Sequence, residues 1–145
     1  MFTITYVDVE RKGAKKMKKI MLVDDEEDQI FGVQTAFEET YGDEYTIIPA
    51  GSGEECFELL KDDEQKPDLI LLDIMMPGMS GWEVYDKLRD NPKWSNIPIV
   101  FLTARTDRIA ENAGDFLGDD YVEKPVEIAE LHDRIEKVLD GEKSD

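Results

Sequence analysis

Three aspartates, a threonine and a lysine stand at or just past the ends of short apolar runs. Asp24 and Asp25 follow residues 20–23, Asp73 follows 69–72, Thr103 follows 99–102, and Lys124 comes soon after Tyr121 and Val122. Short apolar runs bounded by turn residues read as buried strands, and the carboxyl ends of strands are where open parallel sheets bind ligands. If the first and third strands are neighbours, three carboxylates are pushed into one crevice. Like charges at that range raise one another's pKa and cost stability unless a cation sits among them. Carboxylates with water suit Mg²⁺, which accepts one or two protein carboxylates plus phosphate oxygen. A carboxylate can also attack phosphorus and form an aspartyl phosphate, provided the charge on the transferring group is neutralised. Mg²⁺ and the Lys124 ammonium would do that from two sides, with the Thr103 hydroxyl donating to a third oxygen. Asp73 is the best acceptor because it sits on the central strand with a Met-, Pro- and Gly-rich loop behind it, and the Asp24-Asp25 pair would then hold the metal.

Taken singly, each residue has a plainer reading. The string Asp24-Asp25-Glu26-Glu27-Asp28 suits a helix amino terminus, Asp73 could cap a turn, Thr103 could end a strand, and Lys124 before Pro125 could be an ordinary surface lysine. Together, four such accidents at four successive strand ends are improbable. Gly51-Ser52-Gly53 lacks the third glycine and the Gly-Lys-Ser/Thr of a phosphate loop and reads as a turn. Cys56, His132, Trp82 and Trp94 read as packing or surface residues with no constellation around them.

The elements that must position these groups alternate strictly. Strands are expected at 20–23, 45–50, 69–72, 99–102 and 121–122. Between and after them, Ile30, Val33, Phe37 and Tyr41 recur at helical spacing before Gly42; Cys56, Leu59 and Leu60 mark a second helix; and Val84 and Leu88 mark a third ending near Asn91-Pro92. A fourth helix is expected over 107–117, and Ile128, Leu131, Ile135 and Val138 line a last one ending at Gly141. Five strands alternating with five helices predict an α/β, doubly wound, five-stranded parallel sheet of flavodoxin-like order 2-1-3-4-5, with helices on both faces.

Composition narrows the chemistry. The 145 residues suit one compact domain. No apolar run approaches the roughly 18 residues of a membrane span and no secretory signal is apparent, so a soluble, cytoplasmic protein is expected. With one cysteine and one histidine, a nitrogen/sulfur metal site is out of reach, and any metal is expected to be a hard cation held by oxygen. The net charge is −18, and it is uneven. Residues 1–19 hold six basic and two acidic residues, which leaves 11 basic against 33 acidic on the remainder. Such a surface repels nucleic acid and anionic lipid.

The strings IMLVDDEEDQ, PDLILLDIMMPGMSGWEV, IPIVFLTART and DDYVEKPV resemble the response-regulator receiver domains of two-component signalling, similar to the chemotaxis response regulator. The resemblance implies that Asp73 is the phosphoacceptor, that Asp24 and Asp25 form the acidic pair with Asp25 a direct Mg²⁺ ligand, and that the main-chain carbonyl of Met75 is another ligand. It also implies that Lys124 contacts the phosphoryl group and that Thr103 and Tyr121 form a switch pair. A histidine kinase or phosphotransfer protein is the implied donor, and a downstream protein effector the implied target. The expected organisation is an N-terminal extension at 1–17, a receiver domain at 18–140 and a tail at 141–145, with no DNA-binding or phosphodiesterase domain following. The alternating Phe2, Ile4 and Tyr6 allow the extension to be a strand that joins a second copy as a homodimer, or a disordered tail. The alternative from another class is a phosphohydrolase similar to the haloacid dehalogenase superfamily, which also uses an Asp nucleophile, a Thr or Ser, a Lys and Mg²⁺. That family carries a DxD pattern after strand one and usually a cap domain, whereas here the aspartates are adjacent. An unphosphorylated receiver-like scaffold is a third reading.

Overall fold

The computed structural model describes residues 17–104 and 120–141. Five strands, β1 (Lys18–Val23), β2 (Tyr45–Ala50), β3 (Leu69–Asp73), β4 (Ile99–Thr103) and β5 (Asp120–Glu123), form one sheet in the order β2-β1-β3-β4-β5. Every pairing is parallel, with Ile20 opposite Leu69, Ile70 opposite Ile99 and Val100 opposite Asp120. The expected topology is the observed one. Four α-helices pack on the sheet among the described residues: α1 (Glu27–Tyr41), α2 (Gly53–Leu60), α3 (Gly81–Asp90) and α4 (Ile128–Leu139). The helix expected over 107–117 and the extension at 1–16 lie outside the described residues.

Alternation along each strand splits the core into two layers. Met21, Val23, Ile70, Leu72, Ile99 and Phe101 point to the side covered by Cys56 and Leu60 of α2 and Val84 and Leu88 of α3. Ile20, Leu22, Leu69, Leu71, Val100 and Leu102 point to the other, covered by Val33 and Phe37 of α1 and Leu131 and Ile135 of α4. All five residues of β3 are buried, which is why it reads as a continuous apolar run rather than an alternating one. Because the helices that follow β1 and β3 leave to opposite faces, a crevice opens between the carboxyl ends of these two strands.

Two glycines shape the wall of that crevice. Gly78 takes φ +74° in the loop after β3, a conformation that favours glycine. Gly81 begins α3, and its N–H donates to the Ile74 carbonyl at 2.9 Å. A Cβ there would fall on the Asp73 carbonyl oxygen and within 2.7 Å of the Ile74 Cα, so the helix can approach β3 only without a side chain. Ser80 and Glu83 then close a reciprocal capping box at the same helix end. Gly81→Ala should therefore destabilise the fold by about 1–3 kcal/mol, read as a lower urea midpoint with an unchanged slope; an unaltered midpoint would mean that the loop gives way without cost.

Candidate phosphoacceptor site

Asp24, immediately after β1, is fully buried. Its N–H donates to the Ala50 carbonyl at 3.0 Å, and its Oδ1 accepts from the Glu26 N–H at 3.0 Å, so its backbone is fixed by the end of β2 and its carboxylate by the turn that starts α1. Asp73, the last residue of β3, is 5% exposed and pairs in register with Leu102 of β4. Asp25 is exposed. One carboxylate oxygen from each of Asp24, Asp25 and Asp73 lies within 4.8 Å of the others. The acidic string thus divides: Asp24 and Asp25 face the crevice, while Glu27 and Asp28 occupy the first turn of α1, where they complement the helix dipole.

Lys124, just past β5, reaches across this rim. Its Nζ lies 3.2 Å from Asp73 Oδ1 and 3.3 Å from Asp24 Oδ2, with its side chain 19% exposed. The Lys124-Pro125 peptide bond is cis. Burial pushes the Asp73 carboxyl up to about 6; Lys124 opposes this, while Asp24 and, less strongly, Asp25 add to it. Burial by itself would lower the Lys124 ammonium, but Asp73 and Asp24 outweigh it and hold its pKa above the ordinary lysine value. At neutral pH Asp73 is therefore mostly ionised, and the Lys124 ammonium is braced between it and Asp24. Among the described residues the clustered donors are three carboxylate oxygens, a set for a hard, oxygen-seeking cation, and Mg²⁺ fits it.

The backbone of Thr103 ends β4 in register with Glu123, one residue before Lys124; the Thr103 side chain lies outside the described part. Tyr121 is half-buried against the α2/α3 core layer, and its carbonyl accepts from Arg134 Nη1 at 3.0 Å. Met75 is 68% exposed beside the rim. The structure thus brings Asp24, Asp25, Asp73 and Lys124 into one cluster and sets Thr103, Met75 and Tyr121 on the elements around it. Cys56 is a packing residue, its thiol pushed up to about 12 by burial. Trp82 packs on Phe101 at 4.9 Å and Trp94 on Phe57 at 5.6 Å between ring centroids. His132 departs from that expectation, because a constellation does surround it: its ring stacks on Tyr41, its Nε2 faces the carboxylates of Glu44 and Glu136, and its Nδ1 lies 3.7 Å from Asp133 Oδ1. Helical periodicity alone could not bring Glu44, on a distant turn, to that ring.

Comparison with known proteins agrees with this geometry. The response regulator receiver domain family matches residues 20–136. The transcriptional regulatory protein AfsQ1 of Streptomyces coelicolor is 39% identical over 125 residues, 85% of this chain and 52% of its own length. The alkaline phosphatase synthesis transcriptional regulatory protein PhoP of Bacillus subtilis is 39% identical over 123 residues, 84% of this chain and 48% of its own length. The chain therefore spans about half the length of these curated relatives. A response regulator from Desulfuromonas acetoxidans superposes with a TM-score of 0.72 at 28% identity, covering 87% of this chain and 99% of that one. None of these likenesses supports the haloacid-dehalogenase alternative, and the match over most of its length places the chain in the response regulator receiver domain family.

Proposed function

We propose that this chain is a cytoplasmic phosphoacceptor: Asp73 takes a phosphoryl group from a histidine kinase or phosphotransfer protein, and the phosphorylated form presents a changed surface to a protein effector. The observation that carries the reading is the Lys124 ammonium held between Asp73 at 3.2 Å and Asp24 at 3.3 Å on a rim of three carboxylates. The Asp73 carboxylate, ionised above its pKa of about 6, attacks phosphorus. The new bond is oxygen to phosphorus, and the bond from phosphorus to the donor's nitrogen or oxygen breaks with its electron pair leaving on the donor. Lys124 turns from Asp73 toward the phosphoryl oxygens without leaving the site, since Asp24 retains it. Asp24, Asp25, Asp73 and the Met75 carbonyl would hold Mg²⁺, which when bound neutralises charge on the transferring group. Thr103 and Tyr121 form the switch pair, with Thr103 drawn to the phosphoryl oxygens and the Tyr121 ring turning inward, a shift between two populations of one fold. The chain acts on itself rather than turning over an external substrate, and water returns it to the free carboxylate. Its acidic surface favours protein partners over nucleic acid. We take residues 18–140 as the receiver domain, 1–17 as an extension and 141–145 as a tail.

Incubation with acetyl phosphate and Mg²⁺ should add about 80 Da on a peptide containing Asp73, with amide shifts at Thr103 and Tyr121. An adduct mapped elsewhere, or sustained turnover of unrelated phosphomonoesters, would overturn the reading. Mg²⁺ should also raise the melting temperature by binding the native state alone. Asp25→Ala should erase that response, and a Mg²⁺ shift of wild-type size in the variant would remove Asp25 from the ligand set.

A further inference from the structure

At the opposite end of the sheet from the acidic rim lies a second cluster of ligating groups. The His132 ring is clamped by aromatics: it stacks on Tyr41 with centroids 3.8 Å apart and planes 7° from parallel, and meets Tyr45 edge-on at 5.7 Å. Its Nε2 is sealed from water and has no hydrogen-bond partner among the described residues. That orphaned nitrogen is aimed at two carboxylates, Glu136 Oε2 at 3.4 Å and Glu44 Oε1 at 3.9 Å, and one ligand atom from each of the three residues lies within 4.8 Å of the others. Leaving a buried nitrogen unpaired is costly unless something fills the gap.

The spacing suits a bound cation. Two donors on one tetrahedral zinc ion, each about 2.1 Å from it, stand about 3.4 Å apart, which is the separation of Nε2 from Glu136 Oε2, while Glu44 Oε1 at 3.9 Å would draw in by about half an ångström. His132 and Glu136 sit four residues apart on one face of α4. Glu44 comes from the turn between α1 and β2, fixed there by its N–H on the Tyr41 carbonyl and by its carbonyl accepting from the Lys18 N–H, both at 2.9 Å. Glu136 Oε2 is oriented by the Tyr45 hydroxyl, which donates to it at 3.1 Å, in the manner of the outer partners that orient metal ligands. We propose that Glu44, His132 and Glu136 bind a divalent cation of the zinc type, with water completing the tetrahedron. An imidazole donor with two carboxylates suits such a borderline metal better than Mg²⁺. The site is separate from the acidic rim, because Glu44 precedes the strand residue paired with Lys18, whereas Asp24 follows the one paired with Ala50; the length of β2, about 20 Å, lies between them. A cation there ties the α1–β2 turn to α4.

The test is titration of chelator-stripped full chain with Zn²⁺ in saturating Mg²⁺, which keeps the acidic rim occupied, followed by Co²⁺ as a spectroscopic reporter. One equivalent of Zn²⁺ should bind, and Co²⁺ should give the intense visible bands of tetrahedral coordination. Glu44→Gln, at an exposed position that leaves the fold intact, should weaken Zn²⁺ at least tenfold, and His132→Gln should remove the Co²⁺ bands. Both variants should keep Mg²⁺-dependent labelling of Asp73. Absence of saturable Zn²⁺ binding in the wild type, or binding indifferent to both substitutions, would overturn the proposal.

Discussion

Asp73→Asn should take up no phosphoryl group under conditions that label the wild type, and in chelator at neutral pH it should melt above the wild type. Both effects follow from one carboxyl. Asp73 titrates near 3.8 in an unfolded chain and near 6 in the fold, so the folded state binds more protons across that window. Metal-free stability therefore falls as pH rises from about 4 through about 6 and stays reduced above it. Asparagine carries no charge, so the variant loses that dependence and gains about 1–2 kcal/mol at neutral pH, less than the full shift implies because the rim admits water. The Mg²⁺ response should shrink with it, since the cation no longer relieves the same repulsion. Melting curves with and without Mg²⁺, taken at pH values on either side of 6, separate these effects. Labelling of the variant at the wild-type rate would exclude Asp73 as acceptor, and a lower metal-free melting temperature would exclude charge repulsion as the cost it carries.

Much of the frame was legible in the residues themselves. The runs at Leu69–Asp73 and Ile99–Thr103 announce buried parallel strands, and right-handed crossovers leave few orders for them. The polar residues at their ends then converge on one rim because parallel strands all point their carboxyl ends the same way. The boundaries are slightly wider than the apolar runs: Asp73 and Thr103 are the last members of their strands rather than the first residues beyond. Their backbones are thus fixed by ladder pairing with Leu102 and Glu123, which makes the rim more rigid than a loop would. Ser80 with Glu83 closes the capping box that fixes the helix behind Asp73.

What was not legible depends on contacts between distant segments. Glu38 of α1 accepts from the Ile47 N–H at 3.0 Å, and Gln34 donates to the Ile47 carbonyl at 3.4 Å, so the outer edge of β2 is engaged by side chains that no periodicity predicts. Such cover blunts an edge against strand addition at that position. The His132 cluster escaped for the same reason. A single histidine excludes a site built from nitrogen and sulfur alone, but a mixed site needs only one, and its carboxylate from Glu44 lies 88 positions away in sequence.

Lys124→Met should be the most disruptive single change on the rim. The ammonium is the only cation within 4 Å of Asp24 and Asp73 among the described residues, and removing one partner of a buried ion pair leaves uncompensated charge that costs about 3 kcal/mol. Without Lys124 the Asp73 carboxyl should titrate still higher, because the attraction that opposes its burial is gone. The stability deficit should accordingly narrow as pH falls and Asp73 takes up a proton. Mg²⁺ should stabilise the variant more than the wild type, since the cation then supplies the compensation that the ammonium no longer provides. It should not restore phosphoryl transfer, because a cation on the Asp24-Asp25 side leaves the opposite side of the phosphoryl group without its donor; labelling should slow about a hundredfold. Urea melts across pH with and without Mg²⁺, set beside the rate of acetyl phosphate labelling, test each part. A variant as stable as the wild type in chelator at neutral pH would mean that water, rather than Lys124, balances the buried carboxylates, and labelling at the wild-type rate would remove the lysine from the transfer step.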